Sequence, residues 1–441
     1  MHPRGILDSV SSPVLYWLHP INFIKKRVDI LDELKRIRDL ARETRDFALS
    51  PEMERRRRLW TEHNSLSFTR PPIYIRAIPL WEYQKEWPLQ CADPYLRKLE
   101  SQLLLNRYRM QLEEDTVIEP FLTVRAQVDI APLGVYGLPA VMEKKASGIE
   151  AARFQPSILE EDDIKKLFVL PYRVDEEETA RRKERMEDVL DGILPVAVDR
   201  QAPLLTIWNN DISTLLAKLR GLEQIMWDVF DRPEWLHSLV SWMSRQILQQ
   251  MDETEQAGGF RLNNHQNQAM CYCRELPPPS ADDAPVSPGQ LWGYMASQEF
   301  TTFGPDMFEE FMFRYQKPIL ERFGLVSYGC CEDLTQKIGV LRSLKNLRRI
   351  AVSPFADAAK CAEQIGGDYV LSWRPNPSSA CSYGVDEDFI RRELNTAADH
   401  FDRCGCVWDV TLKDLETTGS DPTAIVRWTK IVREELEKRY G

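Results

Sequence analysis

Five consecutive strand–helix units between residues 291 and 441 predict an α/β protein with a parallel sheet wrapped by helices. Two further observations narrow the class. The strand candidates are short, near-continuous apolar runs, as expected for parallel strands buried on both faces. No Gly-x-Gly-x-x-Gly turn follows any of them, which argues against a dinucleotide-binding open sheet. The fold expected is a (β/α)8 barrel of the TIM type over residues 70–441, behind an N-terminal helical extension over residues 1–69.

In chain order, apolar residues at helical spacing (Ile30, Leu31, Leu34, Ile37, Leu40, Ala41) predict a helix from Val28 to about Leu49. A charge-rich second helix runs from Pro51 to about His63, with Arg55–Arg58 on a solvated face. Such helices cap a barrel's floor or build a subunit interface, so a homodimer is one expectation. Ile73–Arg76 is the first strand, and a helix runs from Asp93-Pro94 to about Gln111. Thr116–Ile118 and Leu122–Ile130 are β-rich, Ala131–Arg173 is an irregular insertion, and Val174–Leu194 is a charged helix. Leu204–Trp208 reads as a buried strand. Helices follow at Ser213–Arg220, Leu222–Phe230 and from Pro233, where the proline's missing N–H costs nothing. The loop 258–289 is longer than compact domains usually tolerate without a function. The regular half then sets strands at 291–295, 325–328, 348–352, 369–373 and 407–412.

Composition bounds the function. The 441 residues are 43% hydrophobic, enough for a large core. The net charge of -11 argues against non-specific nucleic-acid binding, which needs basic patches. No run reaches the ~18 apolar residues of a membrane span. The apolar patch Val14–Leu18 is shorter than a signal peptide of ~15–30 residues. A cytoplasmic location is expected, with the nine cysteines reduced.

Barrels of this type carry their chemistry at the C-terminal ends of the strands. That rule selects Arg76, Trp81 and Glu82; Asn209, Asn210 and Asp211; Ser297, Gln298 and Glu299; Cys330, Cys331, Glu332 and Asp333; Ser353; Arg374 and Asn376; and Asp409, Lys413 and Asp414. The long loop adds Asn263, Asn264 and His265. Cys330 and Glu332 could hold Zn²⁺, with His265, Glu299 or Cys273 completing the set and Cys331, whose side chain should diverge, left to packing. The alternative is that both cysteines are small apolar fillers and Glu332 is an acid at a helix N-terminus. Cys271-x-Cys273 has poor spacing for metal, and Cys404-x-Cys406 reads as structural. Arg374 suits a carboxylate or phosphate through its planar fork, or an ion pair across the mouth. Asp409, charged in an apolar strand, needs a polar site or a lysine such as Lys413.

Gly304-Pro305-Asp306-Met307-Phe308-Glu309-Glu310-Phe311 is similar to a helix opening of the uroporphyrinogen decarboxylase superfamily. Asn346–Ile350, Ser353–Asp357, Gly366–Ser372 and Arg374–Pro377 follow in the order of its later β-α units. The resemblance spans residues 70–441, firmest from Leu291, and is nearest to an uncharacterised bacterial branch. The decarboxylases' Arg-Gln-Ala-Gly-Arg motif is replaced by Tyr74–Glu82, with one arginine and no glycine, and Asp409 stands where they carry histidine. Against the His-x-Cys pair of the thiol-methylating branch, Tyr328 replaces the histidine and Cys330 matches the cysteine. The resemblance implies a methyltransferase moving a methyl group between a small substrate and a corrinoid, with Zn²⁺ assistance. Cobalamin would come through a partner corrinoid protein, since the chain has no Asp-x-His-x-x-Gly motif.

The roles expected are therefore Asp409 and Glu299 as catalytic groups and Cys330, Glu332 and His265 as metal ligands. Arg76, Trp81, Asn210, Asn264, Gln298, Arg374 and Asn376 would contact substrate. Two alternatives stay open. One is a metal-independent decarboxylase in which Arg76 and Arg374 grip carboxylates and Asp409 or Asp211 gives a proton; the other is a non-catalytic ligand-binding barrel.

Overall fold

Capping chemistry sets the helices before the sheet begins. The computed structural model describes residues 20–143 and 153–441. The apolar patch Val14–Leu18 and part of the expected insertion lie outside them. Helix α1 (Pro20–Ala48) is followed by α2 (Pro51–Asn64), where the Ser50 side chain accepts from the Met53 N–H and Pro51 opens the first turn. After β1 (Ile73–Ile75), α3 (Pro94–Arg109) starts in the same way, with Asp93 accepting from Tyr95 and Leu96.

The irregular middle contains β2 (Leu122–Arg125), β3 (Gln127–Val128), β4 (Val141–Glu143), β5 (Arg153–Gln155) and β6 (Val174–Asp175). It continues through α4 (Glu176–Leu190), β7 (Val196–Asp199), α5 (Ser213–Arg220), α6 (Leu222–Asp231) and α7 (Pro233–Gln256).

The regular half opens with β8 (Trp292–Met295). One continuous helical rod follows: α8 (Pro305–Phe308), a π-turn at Glu309–Phe313, and α9 (Arg314–Leu320). Then come β9 (Leu325–Tyr328), α10 (Ile338–Leu341), β10 (Leu347–Val352), α11 (Ala358–Ile365) and β11 (Val370–Trp373). The chain closes with α12 (Pro377–Ala380), α13 (Glu387–Arg403), β12 (Val407–Leu412) and α14 (Ala424–Tyr440).

Six strands form one parallel sheet in the order β1-β12-β11-β10-β9-β8, so the last strand lies beside the first. Every residue of β8, β9, β11 and β12 is buried, as strands covered on both faces must be. A separate parallel pair joins β2 to β7, and two short antiparallel pairs join β3 to β6 and β4 to β5.

The sheet is thus a curled half-barrel, and the closed eight-strand barrel expected from sequence is corrected. Its two free edges show why. Along β1, carboxylates take the place of a strand: Asp115 accepts from the Ile73 N–H and Glu114 from the Ile75 N–H, while Arg109 donates to the Ile75 carbonyl. The run Thr116–Ile118 accordingly forms no strand.

Along β8, loop segments fill the gap. The Gln266 N–H donates to the Trp292 carbonyl, and the Asn210 side chain donates to the Tyr294 carbonyl. The strand expected at Leu204–Trp208 is instead a 3-10 turn at Pro203–Leu205, with Trp208 at a positive φ of 73°. Pro203 has no N–H for a ladder, and the Asn209 amide folds back onto the Pro203 carbonyl and Thr206 Oγ1. The expected helix Leu334–Leu344 shrinks to the single turn α10.

The floor of the half-barrel is plugged by the end of α2. His63 and Asn64 are fully buried. Asn64 Oδ1 accepts from Arg349, and its amide donates to the Met270 and Tyr272 carbonyls. Ile37, Leu40 and Ala41 of α1 belong to the same core cluster as the strands, so the first two helices pack into the body of the protein. Among the described residues no helix is long and apolar enough to cross a membrane.

Candidate functional site

The mouth at the C-terminal ends of β9, β11 and β12 gathers the most reactive side chains. Gly329 follows β9 at φ +101°, where a Cβ would lie 2.6 Å from Leu334 Cδ1 and 3.0 Å from the Ala351 Cβ. Only glycine allows this turn without strain. It swings the next two residues so that Cys330 and Cys331 converge instead of diverging, with their sulfurs 3.4 Å apart.

Lys413, the first residue after β12, is buried and donates from Nζ to Cys330 Sγ at 2.7 Å and to Cys331 Sγ at 3.1 Å. Its third neighbour is Asp414 Oδ2 at 2.9 Å, and that oxygen also accepts from Cys331 at 3.1 Å. Arg374, following β11, donates from Nη1 to the Cys330 carbonyl at 2.5 Å and from Nη2 to the Gly329 carbonyl at 3.3 Å. Its Nε is buried without a partner.

The pair shares its protons unequally. The hydrogen bond from the Cys331 thiol, with the charges of Arg374 and Lys413 and against the cost of burial, pulls the Cys330 thiol down to about 4. The same hydrogen bond, with burial, pushes Cys331 up. The positive charges of Lys413 and Arg374 thus favour the thiolate at Cys330, while Cys331 keeps the single proton that Cys330 Sγ and Asp414 Oδ2 both approach. They face a small cavity of about 150 Å³ lined also by Phe355, Asn376 and Asp414.

Behind Cys330 lies a set of acids, of which Glu332 and Asp211 are buried and Glu299 is half-buried. Glu332 accepts from the Ser297 N–H at 2.8 Å and the Cys330 N–H at 2.7 Å, and burial raises its pKa. Glu299 accepts from Ser213 Oγ at 2.8 Å and is raised by burial. Asp211 is raised well above the usual carboxylate value by burial and by the nearby Glu299. Tyr328 donates to Gln316 Oε1 at 2.6 Å and lies 2.7 Å from Ser297 Oγ, while the Gln316 amide donates to the Asp211 and Ala296 carbonyls. Gln316 sits just past the π-turn, a distortion frequent at functional sites.

Of the metal ligands expected from sequence, Cys330 and Glu332 come together and His265 does not. Its Nδ1 accepts from the N–H of Trp292, the first residue of β8, whereas Glu332 reaches Ser297, beyond the last. The two N–H groups are five residues apart along this largely extended stretch, roughly 16 Å at ~3.3 Å per residue. Both Glu332 oxygens are already engaged by backbone N–H groups. Among the described residues no three His, Cys, Asp or Glu side chains are arranged to hold a metal ion. The cation against the two sulfurs is the Lys413 ammonium, so the expected zinc set does not fit.

Asp409 is likewise placed away from the mouth. It is sealed in the sheet by Arg349 at 2.8 Å, His63 at 3.2 Å, Ser372 at 2.9 Å and Thr411 at 2.7 Å. Lys413 is not its partner. These charges and hydrogen bonds, opposing burial, hold Asp409 down to about 2, while burial lowers His63. This arrangement is a neutralised structural floor.

The expected substrate residues divide. Arg374 and Asn376 line the cavity. Arg76 lies over the Trp208 ring at 5.8 Å, and Trp208 meets Tyr294 edge-on. Asn210 is buried against Gln266 and Tyr294, with its Oδ1 unpartnered. Trp81 is exposed on a 3-10 turn, and Gln298 is half-buried beside Glu299. Asn264 holds Asp199 and caps Arg261, away from the mouth. Cys271 and Cys273 pack near the starts of β8 and β9 with thiols raised by burial. Sequence reasoning did not single out Tyr294, Gln316 or Ser213. A tyrosine within an apolar strand was the available signal, since a buried hydroxyl needs a partner.

No family model matches this chain, and no curated protein matches it.

Proposed function

We propose that the protein is an enzyme that transfers a small group to or from a low-molecular-weight substrate, with Cys330 as a thiolate nucleophile. One observation carries this reading: Cys330 Sγ lies 2.7 Å from a buried ammonium and faces a cavity of about 150 Å³ at the mouth of the sheet. A nucleophilic cysteine needs a thiolate held by neighbouring positive charge and within reach of substrate. At ~30 Å³ per water the cavity has room for about five waters, which limits the reacting part of the substrate to a few heavy atoms.

The methyl transfer implied by the resemblance suits this nucleophile. Cys330 Sγ would attack the methyl carbon of an N-, O- or S-methylated compound, forming a C–S bond as the carbon–heteroatom bond breaks. The leaving heteroatom takes a proton from Lys413. Within this chain the step uses only Cys330 and Lys413. Delivery of the methyl to a corrinoid partner rests on the resemblance alone. A screen of small methylated compounds tests the reading. The expected product is a single methyl gain on the Cys330 peptide, absent in Cys330→Ser. Turnover that survives in Cys330→Ser would refute it.

A second reading has its own observation. Glu299, with its carboxyl raised by burial, lies at a groove of about 970 Å³ lined also by Lys218 and Trp227. A lysine and an acid whose pKa burial raises could bind a carboxylate and supply a proton after loss of carbon dioxide. Carbon dioxide release that survives Cys330→Ser and is lost in Glu299→Gln would favour it.

A further inference from the structure

We infer that Cys330 and Cys331 form a site of reversible oxidation, in which a hydroperoxide converts the two thiols into a vicinal disulfide and switches the mouth off. The inference shares the Cys330 thiolate with the reading above and requires no substrate. Three features carry it. The sulfurs are already in contact at 3.4 Å, so an S–S bond of ~2.05 Å requires them to close by only about 1.4 Å. Cys330 lines a cavity that admits a molecule the size of a peroxide, and Cys331 is part-exposed beside it. Lys413 donates to both sulfurs, so a proton source touches each position where charge changes.

The chemistry balances. The Cys330 thiolate attacks one peroxide oxygen, the O–O bond breaks, and the departing hydroxide takes a proton from Lys413 to leave as water, giving a sulfenic acid. Cys331 then attacks that sulfur through its own sulfur. The S–O bond breaks, and the hydroxide leaves as a second water carrying the Cys331 proton. Two thiols are oxidised and one hydroperoxide is reduced. Adjacent Cα atoms lie about 3.8 Å apart, closer than the ~4.4–6.8 Å usual for disulfides. Strained disulfides of this kind are easily reduced, which makes the bond a switch and not a staple. Among the described residues all nine cysteines are free, and no other thiol contacts this pair.

The test treats the full chain with hydrogen peroxide and follows peptide-resolved mass, with iodoacetamide labelling of an untreated aliquot in parallel. The expected result is a loss of two hydrogens within the single peptide carrying both cysteines, reversed by dithiothreitol. In Cys331→Ser, Cys330 should run on to a sulfenic acid trapped by dimedone, or to a sulfinic acid. If Cys330 labels readily but peroxide takes the wild type to sulfinic acid without that loss of hydrogen, the switch is overturned while the nucleophile stands. If Cys330 neither labels nor oxidises, both fall.

Discussion

Lys413→Met keeps a side chain of similar length and removes only the ammonium that touches both sulfurs. In the wild type that ammonium lies 2.7 Å from Cys330 Sγ, whose thiol stands at about 4. An opposite charge at such range favours the ionised form by roughly 1–3 pKa units. The midpoint for Cys330 should therefore rise to between roughly 5 and 7. Thiolate nucleophilicity also rises with basicity, with a slope of ~0.4–0.5, so the plateau rate above the midpoint should increase about 2.5- to 30-fold. A rate at one pH would mix the two effects, and the midpoint separates them. The assay is iodoacetamide alkylation of the Cys330 peptide between pH 4 and 9, read by mass spectrometry. A midpoint that stays put or falls would show that Lys413 does not hold the thiolate.

Three further outcomes follow from other parts of the fold. Arg349→Met leaves the Asp409 carboxylate buried with only His63 and hydroxyls about it, and should destabilise the protein by about 3–5 kcal/mol in urea unfolding; a loss under 1 kcal/mol would contradict the floor described above. Gly329→Ala demands φ +101° of a residue with a Cβ and drives that atom into Leu334 and Ala351, so it should cost about 1–3 kcal/mol and slow Cys330 alkylation at pH 6. His265 is neutral in the fold because burial lowers it to about 4 from 6.5, so its contribution is fully present above pH 6.5 and is lost as pH falls toward 4. That is a change of about 3 kcal/mol at 1.36 kcal/mol per unit, and His265→Gln should flatten the acid limb of stability against pH.

Much of this was legible in the sequence where local pattern and tertiary role agree. From residue 291 onward the apolar strands and their helices, apart from the shortened Leu334–Leu344, fall where the period places them, and the strand-end rule brought Cys330, Cys331, Arg374, Asn376, Lys413 and Asp414 to attention. What it could not supply was direction. The convergence of the two sulfurs depends on the positive φ of Gly329, which strand alternation does not encode. The distance between His265 and Glu332 depends on a long loop returning to the start of β8. One correction was available from arithmetic alone: Asp409 and Lys413 are four strand residues apart, roughly 13 Å at ~3.3 Å per residue, too far to pair. Barrel closure failed where carboxylates and loop amides, not strands, satisfy the edges of β1 and β8.

The most direct test of the central claim is the order in which the nine cysteines of the native protein react with iodoacetamide at pH 6. Cys330 should label first and well ahead of the rest, because it alone combines a held thiolate with an open cavity, and competition by small substrates should slow it. If another cysteine leads, or Cys330 labels only after the protein unfolds, it is not the reactive group at this mouth and the proposed function falls with it.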